Sequence, residues 1–222
     1  MIRKTNRRGI EYHEAEKQHL KLEDLRNTRV INRYLYKVNI PAYPQPEFHV
    51  CRLKHDTDGW GLHGIKRDEG FKNPDQDGLL WWSLDVGPEE ITSAERRLLE
   101  TTYPDQTEEQ AQRQQSFLGT FATSPAFKRT SRLGSYRFTF DLEEVLKAYS
   151  EQCCSDQPPV MRMYTTRLYK QEVMYAVLVH SPANQDEFSE YPLLPDDPKA
   201  VCAYKDDCFI WRSEAMCETH RC

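Results

Sequence analysis

The chain of 222 residues has no long apolar run. Its longest, such as the stretch VMYAVLV from Val173, falls far short of the roughly 20 residues that a membrane-spanning helix needs, so no membrane role is expected. The opening MIRKTNRRGI is basic but leads into charged residues rather than an apolar segment, so it is not read as a secretory signal. An intracellular location, cytoplasmic or nuclear, is expected. Positive charge is not in surplus either: 30 Lys and Arg against 35 Asp and Glu leave a formal net charge of -5. That balance excludes a global attraction to nucleic acid or anionic membrane and leaves only local patches. There is no G-x-S-x-G, no cysteine beside a glycine-rich turn and no G-x-x-x-x-G-K loop, which disfavours serine and cysteine hydrolases and nucleoside triphosphatases. Internal repeats are absent, and the glutamine-rich EEQAQRQQ is the one biased tract.

The seven cysteines are an odd number in a chain without a secretion signal, so reduced thiols are expected rather than a disulfide framework. Cys202, Cys208, Cys217, His220 and Cys222 carry ligand types that suit tetrahedral zinc, but they include no C-x-x-C pair, and the cluster is expected to be metal-free. What the chain does have is aromatic residues: four Trp, twelve Tyr and nine Phe within a hydrophobic share of 38%. A packed core is therefore within reach. The length suits a basic tail and helical arm over residues 1–28 followed by a single α+β domain over 29–222.

Along the chain, EYHEAEKQHLKLEDL (11–25) is rich in helix formers and reads as a surface helix. RVINRYLYKVNI alternates as a strand, three prolines between Pro41 and Pro46 make an extended connector, and FHVCRLKH reads as the next strand. GLHGIKRDEG is a short helix closed by Gly70, and GLLWWSLDV a strand. The clearest helix start is Pro88, with Glu89 and Glu90 in the first turn and Ile91, Ala94 and Leu98 on one face. A loop and an exposed helix follow in TYPDQTEEQAQRQQ, then a long loop, the strand SYRFTF, and a helix capped by Asp141 with Leu142, Val145, Leu146 and Tyr149 inward. VMRMYTTRLY and EVMYAVLVH are strands, the second apolar on both faces and so placed centrally in a sheet. AVCAY and CFIWR around KDD form a hairpin. The pattern is α+β with a split, mostly antiparallel sheet and peripheral helices.

One stretch raises a sharper question, because an apolar strand ends in His55, Asp56 and Thr57. Residues two apart on a strand share a face, so His55 and Thr57 converge on one ligand. The succession LKHDT, GLHGI, EGF, LLWWSL and AERRL resembles the opening of the ADP-ribosyltransferase superfamily, in particular its PARP-like branch. There a strand with a His-Gly-Thr motif leads to a helix ending in Gly-Phe. The resemblance covers roughly Val50 to Leu99 and implies an ADP-ribosyltransferase-like fold with NAD as substrate. It implies that His55 and Thr57 hold NAD and that Glu172, opening EVMYAVLVH, is the catalytic glutamate. The family's tyrosine that stacks on nicotinamide has two candidate counterparts, Trp82 with Ser83 beside it, and Tyr136 in GSYRF. Asp56 stands where the family has glycine, with a side chain that can crowd the nicotinamide amide or change the ligand altogether.

Duller readings stand beside this one. Glu172 is also readable as a strand-edge carboxylate paired with Lys170 or Arg167, and His55 as a hydrogen-bonded strand-end histidine. The competing functions are a non-enzymatic protein-interaction module, using SFLGTFATSPAF and the acidic QDEFSEYPLLPDDP, and an RNA-binding protein. The RNA reading uses Arg3, Lys4, Arg7 and Arg8 with segment 127–138, where Lys128, Arg129, Arg132 and Arg137 interleave with Phe127, Tyr136 and Phe138. Expected partners are thus NAD or ADP-ribose, a protein target, and with less support RNA.

Overall fold

The computed structural model describes residues 1–6, 9–19, 21, 24, 46–72, 78–113, 118, 134–168, 173–194 and 196–212. Strands β1 (Ile2–Thr5), β2 (Glu11–Glu16), β3 (Glu47–Val50) and β4 (Arg52–Thr57) precede helix α1 (Gly59–Asp68). The short β5 (Ser83–Leu84) leads to α2 (Pro88–Thr102) and α3 (Glu108–Arg113). Then come β6 (Tyr136–Asp141), α4 (Leu142–Cys153), β7 (Val160–Leu168) and β8 (Val173–His180), with β9 (Cys202–Lys205) and β10 (Cys208–Arg212) last. The strands form three antiparallel sheets, ordered β1-β2-β7-β8, β3-β10-β9 and β5-β4-β6. The fold is α+β with mostly antiparallel sheets. No described helix is long and apolar enough to cross a membrane.

Local signals build much of this. Pro88 opens α2, and the Glu90 carboxylate reaches back to accept from the Gly87 amide at 2.7 Å. Its buried Ala94 and Leu98 pack on Phe48, Val50, Val86 and Leu118. Helix α4 contributes Leu142 to a second cluster with Leu53, Cys202 and Phe209, although the Asp141 side chain makes no capping hydrogen bond. The β9–β10 hairpin turns through Asp206 and Asp207, both with positive φ, which aspartate tolerates better than most residues. The strand expected over FHVCRLKH is two strands, broken at Cys51. Of GLLWWSLDV only Ser83–Leu84 is strand.

Three expectations are corrected. Residues 11–16 are a strand, not part of a surface helix. The turn closes when the Gly9 amide donates to the Asn6 carbonyl, with Gly9 at φ 73°, and β1 then pairs β2. Cross-strand ion pairs Arg3–Glu11, Lys4–Glu14 and Lys4–Glu16 tie the two strands, and burial of Tyr12, Glu14 and Ala15 against β7 outweighs local helix propensity. Arg3 and Lys4 are therefore part of a sheet, while Arg7 and Arg8 lie outside the described residues.

Strand β8 is not central: among the described strands it lies at the edge of its sheet. It is apolar on both faces because Tyr175 and Val177 pack toward the Leu53 cluster, while Ala176, Leu178 and His180 are buried on the opposite side, where the tilted Phe188 ring lies 4.9 Å from that of His180.

The third correction concerns the thiols. Cys51 and Cys208 form a disulfide, since the antiparallel register that sets Val50 opposite Phe209 brings the next pair together. Cys153, Cys154 and Cys202 are free, and burial pushes the Cys202 thiol up to about 12, which makes it a poor ligand or nucleophile. Cys217, His220 and Cys222 lie outside the described residues.

Candidate functional site

Strand β4 is the spine of the site, with β5 on one side and β6 on the other. In register, His55 faces Phe138, Asp56 faces Arg137 and Thr57 faces Tyr136. Alternation sorts these into two faces. Leu53, His55 and Thr57 share one with Phe140, Phe138 and Tyr136, and Lys54 and Asp56 share the other with Ser83 and Arg137.

On the first face an aromatic cluster forms around Phe71, which α1 delivers just after Gly70. Phe71 meets Trp82 at 5.0 Å, Phe138 at 5.2 Å and Phe140 at 5.8 Å, the two phenylalanines edge to face. The His55 ring lies edge-on to Phe71 at 5.3 Å and to Trp82 at 5.5 Å. Its Nδ1–H donates to the Trp81 carbonyl at 2.9 Å. That bond fixes the ring and leaves Nε2 without a partner among the described residues, free to accept from a ligand hydroxyl.

Thr57 is tightly enclosed. A Cβ added at Gly61 of α1 would sit 1.9 Å from Thr57 Oγ1, and one added at Gly134 would sit 2.1 Å from the Thr57 carbonyl oxygen. Both glycines are needed for the chain to pass so close to the end of β4. Asp58 caps α1, accepting from the Gly61 amide at 2.9 Å.

The second face is ionic. Asp56 takes a two-point hydrogen bond from Arg137 at 2.7 and 2.9 Å, and buried Lys54 lies 3.4 Å from Asp85. Burial pushes the Lys54 ammonium below its ordinary range, and Asp85 opposes that shift. Two cations and two carboxylates thus balance. Alternation turns the Asp56 carboxylate to the face opposite His55, where Arg137 holds it.

Beyond Trp82, the half-exposed Trp81 reaches across to the neighbouring sheet. Its ring lies 6.2 Å from Tyr164, which lies 5.4 Å from Tyr191. Tyr164 is the extra residue of a β-bulge: β7 pairs Met163 with Val177 and then Thr165 with Ala176, a device that re-aims a side chain. The Tyr191 backbone is held by Arg162, whose Nη1 donates to the Tyr191 carbonyl at 2.6 Å while Nε donates to His180 Nε2 at 2.9 Å. Lys17 lies over the Tyr191 ring at 5.5 Å and pairs with Glu190.

Of the residues singled out in the sequence, His55 and Trp82 are in ring contact, and Thr57 and Tyr136 are opposite one another on the same face. Ser83 belongs to the other face, opposite Lys54. Glu172 and Lys170 lie outside the described residues, as do Phe127, Lys128, Arg129 and Arg132. Trp81, Tyr164 and Tyr191 meet through a bulge and a sheet-to-sheet contact, which leave no local sequence signal. No family model, no curated protein and no solved structure matches this chain.

Proposed function

We propose that this chain is an ADP-ribosyltransferase-like protein that binds NAD or ADP-ribose on the face of β4 that carries His55, and that it transfers ADP-ribose to a macromolecular target. One observation carries the reading: His55 is fixed through Nδ1 to a backbone carbonyl and backed by Phe71 and Trp82, and its Nε2, without a partner among the described residues, suits a ribose hydroxyl. The order of parts agrees with it, since β4 ends in the histidine, α1 follows at once, and Phe71 after Gly70 returns beneath the histidine ring. The resemblance in sequence spans the same stretch.

In this reading the bond between nicotinamide and ribose breaks with its electron pair leaving on nicotinamide. An acceptor nucleophile then bonds to the ribose carbon and gives up its proton. Positive charge develops on the sugar, so the Glu172 carboxylate would act at the barrier. No metal enters the scheme. An intracellular setting, cytoplasmic or nuclear, belongs to the same proposal, and in it the Cys51–Cys208 pair is expected to be held reduced. The test is nicotinamide release by chromatography beside NAD affinity by calorimetry. Glu172→Gln should keep affinity within a few-fold and lose turnover, and His55→Ala should lose affinity first.

A second reading, a non-enzymatic interaction module, is favoured by Trp60, which is 87% exposed on a helix with no buried residue. It prevails if the folded protein is stabilised by neither NAD nor ADP-ribose at millimolar concentration. The RNA-binding alternative draws less support, because Arg137 of segment 127–138 is engaged with Asp56.

A further inference from the structure

The pairing of β3 with β10 does not depend on sulfur. Glu47 to Val50 pair with Arg212 to Phe209, Phe48 and Val50 are buried, Trp211 packs on Phe48, and Arg212 Nε donates to Glu47 at 2.8 Å. This register holds Cys51 opposite Cys208 with their Cα atoms 4.7 Å apart, within the span a disulfide takes. Reduction therefore leaves the two thiols facing each other, and the bond opens and closes without rearrangement of the strands. We propose that Cys51 and Cys208 are a reversible redox switch whose oxidant is glutathione disulfide. The switch shares the intracellular setting of the NAD reading, in which the pair rests reduced, but it needs no NAD.

Exposure assigns the two roles. Cys51 is exposed and Cys208 half-buried, so the Cys51 thiolate, its proton lost to solvent, attacks one sulfur of glutathione disulfide and the other glutathione leaves as its thiolate. The Cys208 thiolate then attacks the Cys51 sulfur and displaces the second glutathione. Two protein thiols are oxidised by two electrons, and one glutathione disulfide is reduced to two glutathiones. Reduced glutathione runs the same steps backwards, and exposed disulfides are the labile ones. Cys153 supplies an internal comparison, since it is exposed but free, with only the buried Cys154 beside it in the chain, and it should stop at the glutathione adduct. The consequence reaches β4. Cys51 occupies the break between β3 and β4, and its carbonyl accepts from the Leu142 amide at the start of α4 at 2.8 Å. Closing the bond ties β10 to the root of the strand that carries His55, and opening it releases that tie.

The test uses the whole chain, reduced, freed of reductant and shown to unfold cooperatively in urea, then titrated with glutathione disulfide, quenched in acid and mapped by peptide mass spectrometry. The Cys51–Cys208 bond should form, excess reduced glutathione should return both thiols without urea, and amides of β10 should exchange with deuterium about tenfold or more faster in the reduced protein. Cys208→Ser should stop at a glutathione adduct on Cys51, while Cys153 carries its adduct in parent and variant alike. A bond that yields to reduced glutathione only when urea is added would overturn the switch and make the pair a permanent cross-link. Failure of the bond to form in the folded parent while Cys153 takes glutathione would overturn it too, as would equal β10 exchange in the two states. None of these results bears on NAD affinity, and loss of the NAD reading by calorimetry would leave the thiol exchange as measured.

Discussion

Reducing the Cys51–Cys208 disulfide should weaken the fold by a measurable and calculable amount. The bond closes a loop of 157 residues and joins β3 directly to β10. Constraining an unfolded loop of that length removes chain entropy equivalent to about 5 kcal/mol at 25 °C, and measured disulfides return about 2–4 kcal/mol. With a urea m-value of about 2–3 kcal/mol/M, the midpoint should fall by about 1–2 M. Tryptophan fluorescence suits the assay, because Trp211 in β10 packs on Phe48 of β3 at 5.6 Å. The double variant Cys51→Ser/Cys208→Ser should melt like the reduced parent and ignore reductant. Cys51 is exposed, so a dithiol reaches the bond without global unfolding. Equal midpoints with and without reductant, in protein whose thiol count shows the bond formed, would refute the entropy argument. Two extra titratable thiols in unreduced protein would refute the bond itself.

Other substitutions probe the site and its frame. Gly134→Ala should destabilise by about 1–3 kcal/mol, because its Cβ would meet Thr57 backbone, whereas Gly64→Ala in α1, with nothing within 4 Å, should stabilise by about 0.5–1 kcal/mol; paired urea melts read both. Asp56→Asn should cost about 2 kcal/mol by removing the charge-assisted pair to Arg137, again read as a midpoint shift. Hydrogen bonds from Lys4 and Arg167 outweigh the cost of burial and hold the Glu14 carboxyl at about 2, below the ordinary carboxylate range. A depressed carboxylate contributes stability that is complete above its unfolded pKa and is lost as pH falls toward about 2. The stability of the parent should therefore drop between about pH 5 and pH 2 more steeply than that of Glu14→Gln, and parallel acid slopes would contradict the ion-pair assignment.

How far the sequence could be read follows from where each signal resides. The start of α2 at Pro88, helix α4 and the β9–β10 hairpin depend on caps, turns and periodicity within a dozen residues, and they are found where expected. Strand β2 is hidden because Glu11, Glu14 and Glu16 favour helix locally, and only the cations on β1 and the contact with β7 make a strand of them. The doubly apolar pattern of β8 reports that both faces are covered, not that the strand is central, since a segment such as 181–194 covers a face as well as a helix does. The odd cysteine count concealed a pair whose members are 157 residues apart. At the site, His55 and Trp82 are visible in a strand–helix–strand succession. Trp81, Tyr164 and Tyr191 meet only through tertiary contact, and the partner of Asp56 is set by the β4–β6 register.

The most direct measurement of the central claim is a calorimetric titration of NAD into the parent and into His55→Ala, with both proteins shown to unfold cooperatively. Saturable NAD binding by the parent, weakened about tenfold or more when the imidazole is removed, is the predicted result, since a hydrogen bond to ligand and the ordering of Trp81 are lost together. Equal affinities, or no heat of binding to the parent at millimolar NAD, would contradict it.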